Sequence, residues 1–336
     1  MRDDFMLKDS FLRIIKKVFS FRETTLLLMI LLMFIIIPFF SPVFATPQNV
    51  TTTLLGVATK GILGIGTTLI LISGAIDLSV GAMIAVVCSV FGRVYLLTGS
   101  ILIGALAGLA AALLGGLING LLVTKCGLSA FITTLAINGI GRGINMVLTR
   151  GTPIRLTALP SEYRVLGSGT LFGLHYVVIL FISLTLIGHF LLKRSKILRQ
   201  NVYTGSSQKA AIFSGVKTKK VLVLTFLFSG FLAWIGAQLS VARFLTASPT
   251  FGIGWEVELI AAAVIGGASL NGGEGSIIGT SLGLILLGFV SSAIVLLGIS
   301  VYWQNLISSM ILLLAVLLDA FVENRKRKKL EKRTAS

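Results

Sequence analysis

Long apolar runs follow one another along the whole chain, separated by short polar stretches. Runs long enough to cross roughly 30 Å of hydrocarbon predict helices near 24–45, 54–72, 80–97, 100–124, 130–148, 173–192, 221–244, 256–270, 277–297 and 301–321. Lys60 falls in the second run, and Glu256 and Glu258 open the eighth. Charges at membrane depth are costly, so these two runs are candidates for broken or partly re-entrant helices.

Two breaks between runs carry the densest polar and glycine content. Ser73-Gly74-Ala75-Ile76-Asp77-Leu78-Ser79-Val80-Gly81 lies between the second and third runs. Non-helical backbone near membrane depth is tolerated only where protein or a water-filled cavity satisfies its polar groups, which makes the segment a candidate pathway or gate element. Equally, Asp77 and Ser79 are residues that cap a following helix. The second break, Ile265 to Gly275, holds Gly266, Gly267, Asn271, Gly272, Gly273 and Glu274 between the eighth and ninth runs. Its glycines allow a sharp bend or a close packing contact, and Ser276 or Glu274 is placed to cap the next helix. The G-x-x-x-x-G-K-[ST] pattern of a phosphate-cradling loop is absent throughout, so ATP hydrolysis is not expected on this chain.

On the fifth run Thr133, Thr134, Asn138, Arg142, Asn145 and Thr149 recur at helical spacing, a polar stripe that does not suit lipid. It reads either as the lining of a passage for a hydroxyl-rich solute or as interhelical glue. Small residues at four-residue spacing, Gly104/Gly108, Gly115/Asn119 and Gly279/Gly283, read as close helix packing. The passage or gate set taken from these features is Asp77, Ser79, Thr133, Thr134, Asn138, Glu258, Gly266, Gly267 and Asn271.

Charge orients the bundle. The net charge is +17, with the basic residues gathered between or beyond apolar runs. With the N-terminus inside, the 1–23 tail, Lys125, the 193–220 loop and the 322–336 tail together place 22 Lys and Arg on the cytoplasmic side, against Arg150, Arg155 and Arg164 outside. That bias predicts two cytoplasmic termini and an even number of crossings. Anchors of this distribution argue against a nucleic-acid partner and for membrane lipid. The 193–220 loop combines eight basic residues with a short expected helix, Gln208 to Ser214, ended by Gly215. Its small face, around Ala210 and Ala211, would fit a partner's groove; a loop lying on anionic lipid is the other reading.

Composition agrees with a single membrane domain over 24–321. Hydrophobic residues make up 55% of 336 positions and charged residues 12%, too apolar for a soluble core. The two cysteines, Cys88 and Cys126, and two histidines lack ligand spacing, so neither a disulfide framework nor a metal site is expected. No A-x-A-like cleavage site follows the first run, which is expected to stay as a helix. No nucleophile–base pair or H-E-x-x-H motif indicates an enzyme, and no catalytic residue is assigned. The fold expected is therefore all-α, a polytopic bundle of about ten transmembrane helices with two glycine-rich breaks.

The first break resembles the SGGIDLSVG signature of ribose-type ABC transporter permeases. Further blocks agree with that family: Asn119-Gly120 with Phe131 to Leu135, Arg142-Gly143 with Gly151 to Ile154, and Glu258 to Gly267 running on to Gly275. The resemblance implies a bacterial inner-membrane permease that dimerises with a second copy or a paralogue. It also implies two cytoplasmic ABC ATPase subunits that carry ATP and Mg, and a periplasmic or lipid-anchored binding protein that delivers a small sugar. Autoinducer-2 and nucleosides suit the same pattern. Gly205, Gln208, Ala210, Ala211 and Gly215 carry over as the coupling segment to the ATPase. Here the loop is one residue shorter than the family's usual form and lacks its asparagine, which points to a dedicated ATPase or an asymmetric heterodimer. A different class, an ion- or proton-coupled secondary transporter, would use Asp77, Glu256 or Glu258 as its coupling charge.

Overall fold

The computed structural model describes residues 22–300 and seven positions between 303 and 317; the tails at 1–21 and 322–336 and most of the 301–321 run lie outside the described residues. The chain is an all-α polytopic membrane protein. Among the described residues, seven helices are long and apolar enough to cross a bilayer. They are α2 (Pro47–Ile72), α3 (Val80–Thr98), α4 (Ile101–Thr124), α5 (Ala130–Thr149), α7 (Tyr176–Arg194), α10 (Thr218–Phe244) and α12 (Ile277–Leu296). Shorter helices complete the set: α1 (Arg22–Ile36), α6 (Ser161–Ser168), α8 (Lys196–Ser206), α9 (Gln208–Phe213) and α11 (Trp255–Ile265). The seven described positions from 303 to 317 are helical.

Local chemistry sets the helix ends. The expected 24–45 helix stops at Ile36, where Pro38 and Pro42 turn the chain into two 3-10 segments. Helix α2 starts earlier than its apolar run, because Pro47 takes the first helical position and Thr46 accepts from the Asn49 N–H. Ser100 and Ser276 cap α4 and α12 through their hydroxyls. Gly99, with φ of 67°, closes α3 in the left-handed conformation and lets α4 fold straight back. The expected 256–270 helix is only eleven residues long, ending at Ile265 where the glycines begin. At 1.5 Å per residue it covers about 16 Å, half the hydrocarbon thickness.

Helix α10 runs through the middle, packed on α2, α3, α4 and α6. A Cβ on Gly116 would come within 2.5 Å of the Phe226 carbonyl, and one on Gly120 within 2.9 Å of the Val223 Cα, so the α4–α10 contact depends on bare backbone. The small residues of α12 act likewise, with Gly279 against Gly266 and Gly283 against Ala262 of α11. One end of the bundle carries Lys125 and the basic helices α8 and α9. The opposite end carries α6 and two short antiparallel ribbons. Strand β1 (Ile154–Arg155) pairs with β4 (Thr246–Ala247), and β2 (Thr170–Leu171) with β3 (Leu174–His175). The first ribbon ties the loop after α5 to the loop after α10.

Candidate functional site

At the basic end three segments meet through glycines. The Gly273 N–H donates to the Ile72 carbonyl at the end of α2, 2.8 Å away. Gly205, near the end of α8, sits where a Cβ would collide with that same carbonyl and lie 2.5 Å from the Gly273 nitrogen. Gly74 and Gly272 adopt φ of 82° and 86°, and a Cβ on Gly272 would stand 2.7 Å from the Gly74 Cα. Both glycine-rich breaks, expected as separate features, therefore form one junction with the tip of α8. Asn271 lines the adjoining groove of about 570 Å³, beside Thr124, Lys125, Gly205 and Gln208. Gly266 serves the break differently, by its contact with Gly279; Gly267, with φ of 102°, turns the chain out of α11.

The expected 208–214 helix is present as α9. Ser207 caps it, accepting from the Ala210 N–H at 3.3 Å. Gly215, with φ of 80°, ends it, and the Val216 N–H returns to the Ala211 carbonyl. Ala211 is buried against the bundle, while Gln208 and Ala210 are exposed. Gly205 lies outside α9, at the junction. Ile212 and Phe213, which the small-residue pattern did not single out, project from α9 with 55% and 92% exposure.

Deeper in the bundle the 73–79 break runs as non-helical backbone held from both sides. Asp77 is buried, and its Oδ1 accepts from the Ser79 N–H and Oγ at 2.8 and 2.6 Å. Ser79 Oγ in turn accepts from Asn119 Nδ2 at 2.8 Å. Ser79 occupies the N-cap position of α3 without its side chain capping it, so the pair shapes the turn before the helix and does not satisfy the helix itself. Asp77, Ser79 and Asn119 border a void of about 10 Å³, far smaller than a sugar ring.

The polar stripe of α5 reaches the 73–79 break and the loop 249–252 that leads into α11. Thr134 Oγ1 accepts from the Leu78 N–H at 3.0 Å and lies 3.1 Å from the Ile76 carbonyl. Arg142 donates to the carbonyls of Phe251 and Gly252, 2.5 and 2.6 Å away, and Asn145 to that of Pro249. Asn138 Nδ2 reaches Glu256 Oε1 at 3.5 Å, at the edge of a hydrogen bond. Thr133 Oγ1 and Glu256 Oε2 are buried without a hydrogen-bond partner among the described residues. Thr134, Arg142 and Asn145, half of the stripe, thus hold non-helical backbone in place, supplying the polar partners that lipid cannot offer such segments; Thr149 instead bonds the Asn145 carbonyl of its own helix.

Glu258 belongs to a different place. It pairs with Lys60 of α2, Nζ to Oε2 2.5 Å, and Lys60 Nζ also lies 5.5 Å above the Trp255 ring. The pair closes a groove of about 350 Å³ between α2, α11 and α12. In the sequence Lys60 reads only as an interruption of an apolar run, and it is absent from the expected passage set. The signal was there: each charge weakened its own span. Among the described residues no group of three or more His, Cys, Asp or Glu side chains is placed to hold a metal ion.

The family described as branched-chain amino acid transport system / permease component matches residues 49–316. The chain is 32% identical over 285 residues to the ribose import permease protein RbsC of Bacillus subtilis, covering 85% of this chain and 88% of that protein. It is 32% identical over 299 residues to RbsC of Escherichia coli K12, covering 88% and 93%. It is 33% identical over 302 residues to the L-arabinose transport system permease protein AraH of Escherichia coli K12, covering 90% and 92%. No solved structure matches.

Proposed function

This chain belongs to the family described as branched-chain amino acid transport system / permease component, and from that premise we propose that it imports a ribose-like pentose or related small sugar. It is a multi-pass permease subunit of the bacterial inner membrane, of the ribose-type ABC importer class. The relatives are named for ribose and arabinose, which supports the sugar reading; nucleosides and autoinducer-2 are the next solutes to test.

In the proposed arrangement the permease domain spans 24–321 with about ten helices, and both basic tails are cytoplasmic. The end bearing α8 and α9 then faces the cytoplasm, as its lysines and arginines favour. A partner ATPase carries ATP and Mg, a periplasmic or lipid-anchored binding protein delivers solute, and a second permease, identical or paralogous, completes the dimer. No covalent chemistry falls to this chain.

The single observation that carries the mechanism is the Gly205–Ile72–Gly273 junction. When two ATPase subunits close on ATP they would press on α9, whose Ile212 and Phe213 offer apolar anchors in a basic surface. Helix α9 follows α8 after a single residue, and the tip of α8 is wedged against both breaks. A push on α9 therefore moves the inner end of α2 and the Gly272–Gly273 turn between α11 and α12 together, a means of alternating access that leaves solute choice to the binding protein. Asp77, Ser79, Thr133, Thr134, Asn138, Glu258, Gly266, Gly267 and Asn271 are assigned to the gate on this reading, as supports of the moving backbone or, for Glu258, as a wall residue.

Reconstitution tests it. Proteoliposomes holding the chain, its ATPase and sugar-loaded binding protein should accumulate labelled ribose or arabinose only with ATP. Full-rate uptake by the chain alone would overturn the importer reading. Uptake abolished by a protonophore at constant ATP would favour a proton-coupled carrier, for which Asp77, Glu256 and Glu258 are the candidate groups.

A further inference from the structure

The geometry points to the groove between α2, α11 and α12, closed by the Lys60–Glu258 pair, as a water-lined stretch of the solute passage whose hydroxyl and amide side chains meet the travelling solute. This deepens the importer reading and rests on it.

The first observation is depth. Lys60 lies thirteen residues along α2 from Pro47, about 20 Å by the rise of a helix, so the pair sits near the middle of a spanning helix. The second is exposure: the two side chains keep 20% and 24% of their surface accessible. An ion pair at that depth does not face hydrocarbon, because lipid solvates neither charge. Its open side must meet water or protein. The third is chemistry. Asn49, Thr52 and Thr53, two to three turns before Lys60 on α2, line the groove together with Ser291 and Ser292 of α12. Ser292 Oγ donates to Asn49 Oδ1 at 2.9 Å. Asn49 Nδ2 donates to the Phe44 carbonyl at 2.8 Å and Thr52 Oγ1 to the Gln48 carbonyl at 2.9 Å, so these side chains would meet sugar hydroxyls through their remaining acceptor capacity, and their file leads from the end opposite the basic face down to the charged floor. The groove's volume, about 350 Å³, admits a monosaccharide. Helix α11, which carries Glu258, ends at Ile265, and the chain runs on through the glycine break to Gly273 at the junction, so the floor is tied to that junction through the break.

Cysteine accessibility in the complete importer decides the matter. Thr52→Cys, Gly56→Cys and Ser292→Cys are made singly in a Cys126→Ser background, Cys88 being buried. Each complex, in proteoliposomes with ATPase and ribose-loaded binding protein, is treated with a charged, membrane-impermeant methanethiosulfonate. We expect labelling at all three positions, slowed at least threefold by millimolar ribose during ATP turnover. Labelling by a lipophilic maleimide alone would overturn the inference in favour of a lipid-facing groove. Copper-phenanthroline cross-links between copies at positions that the charged reagent leaves unlabelled would overturn it in favour of a dry dimer interface. Labelling that neither ribose nor arabinose slows would remove solute contact. Failure of the sugar reading itself shows elsewhere, as absent sugar uptake by the unsubstituted importer.

Discussion

The amide of Gly273 hydrogen-bonds the carbonyl of Ile72 across a gap of 2.8 Å, and Gly205 packs over that carbonyl from the basic face with nothing larger than a hydrogen. Residues about two hundred positions apart in the sequence are thereby one mechanical unit.

Adding a single methyl at that point should separate folding from coupling. In Gly205→Ala the Cβ meets backbone, which has no flexible end to yield, so the junction must open. Overpacking of this kind costs about 1–3 kcal/mol. The expected outcome is a permease that still elutes as a monodisperse species in detergent but loses most ATP-dependent uptake, while the associated ATPase keeps its basal hydrolysis. Uptake within twofold of the parent would mean the junction does not transmit the stroke.

Phe213 offers a cleaner test of docking, since a side chain 92% exposed contributes little to the fold. Phe213→Asp should leave the melting temperature unchanged and weaken ATPase binding by roughly 2 kcal/mol, about thirtyfold, the scale of an interface anchor. Co-purification and surface-plasmon titration with the ATPase would measure it.

Lys60 and Glu258 invite a charge exchange. Lys60→Met leaves a carboxylate at membrane depth; because the pair is partly open, the loss should lie between surface and buried cases, about 1–3 kcal/mol in thermal unfolding. The double variant Lys60→Glu with Glu258→Lys should recover at least half of that loss. Additive damage in the double variant would show that the two charges act separately.

Tyr163, in α6 outside the spanning helices, donates its hydroxyl to Gln238 Oε1 at 2.7 Å. Burial pushes that phenol above its ordinary range. The folded state thus prefers the neutral form more than the unfolded state does. Its contribution is whole below the ordinary phenol value of about 10 and is lost as pH rises beyond it. Melting curves from pH 8 to 11 should fall more steeply for the parent chain than for Tyr163→Phe, which starts lower by about 1 kcal/mol.

Most of the spanning helices could be read from the chain, because roughly twenty apolar residues in a row have no other stable place. The short α9 and its Gly215 stop were legible for a local reason as well: cap and glycine act within a few residues. What could not be read was distance. Glycines at 74, 205, 272 and 273 announce freedom of backbone, yet their partners are set by the tertiary fold, and nothing near Gly205 names Ile72. The α5 stripe showed which side of the helix is polar but not what it meets; Arg142 holds two carbonyls more than a hundred residues on. Lys60 and Glu258, 198 positions apart, each looked like a defect in its own span until the fold brought them to 2.5 Å.

Helix α11 has a consequence for how the chain is made. Eleven residues, with charged Glu256 and Glu258 in the first turn and a glycine break after the last, form too short a segment to be released sideways into lipid as it emerges from the insertion machinery. The irregular backbone on either side of it finds partners on α2, α5 and α8, all synthesised earlier. The last part of the protein must therefore be threaded into a groove that the helices before it have already built, and biogenesis of the C-terminal third waits on correct assembly of what precedes it.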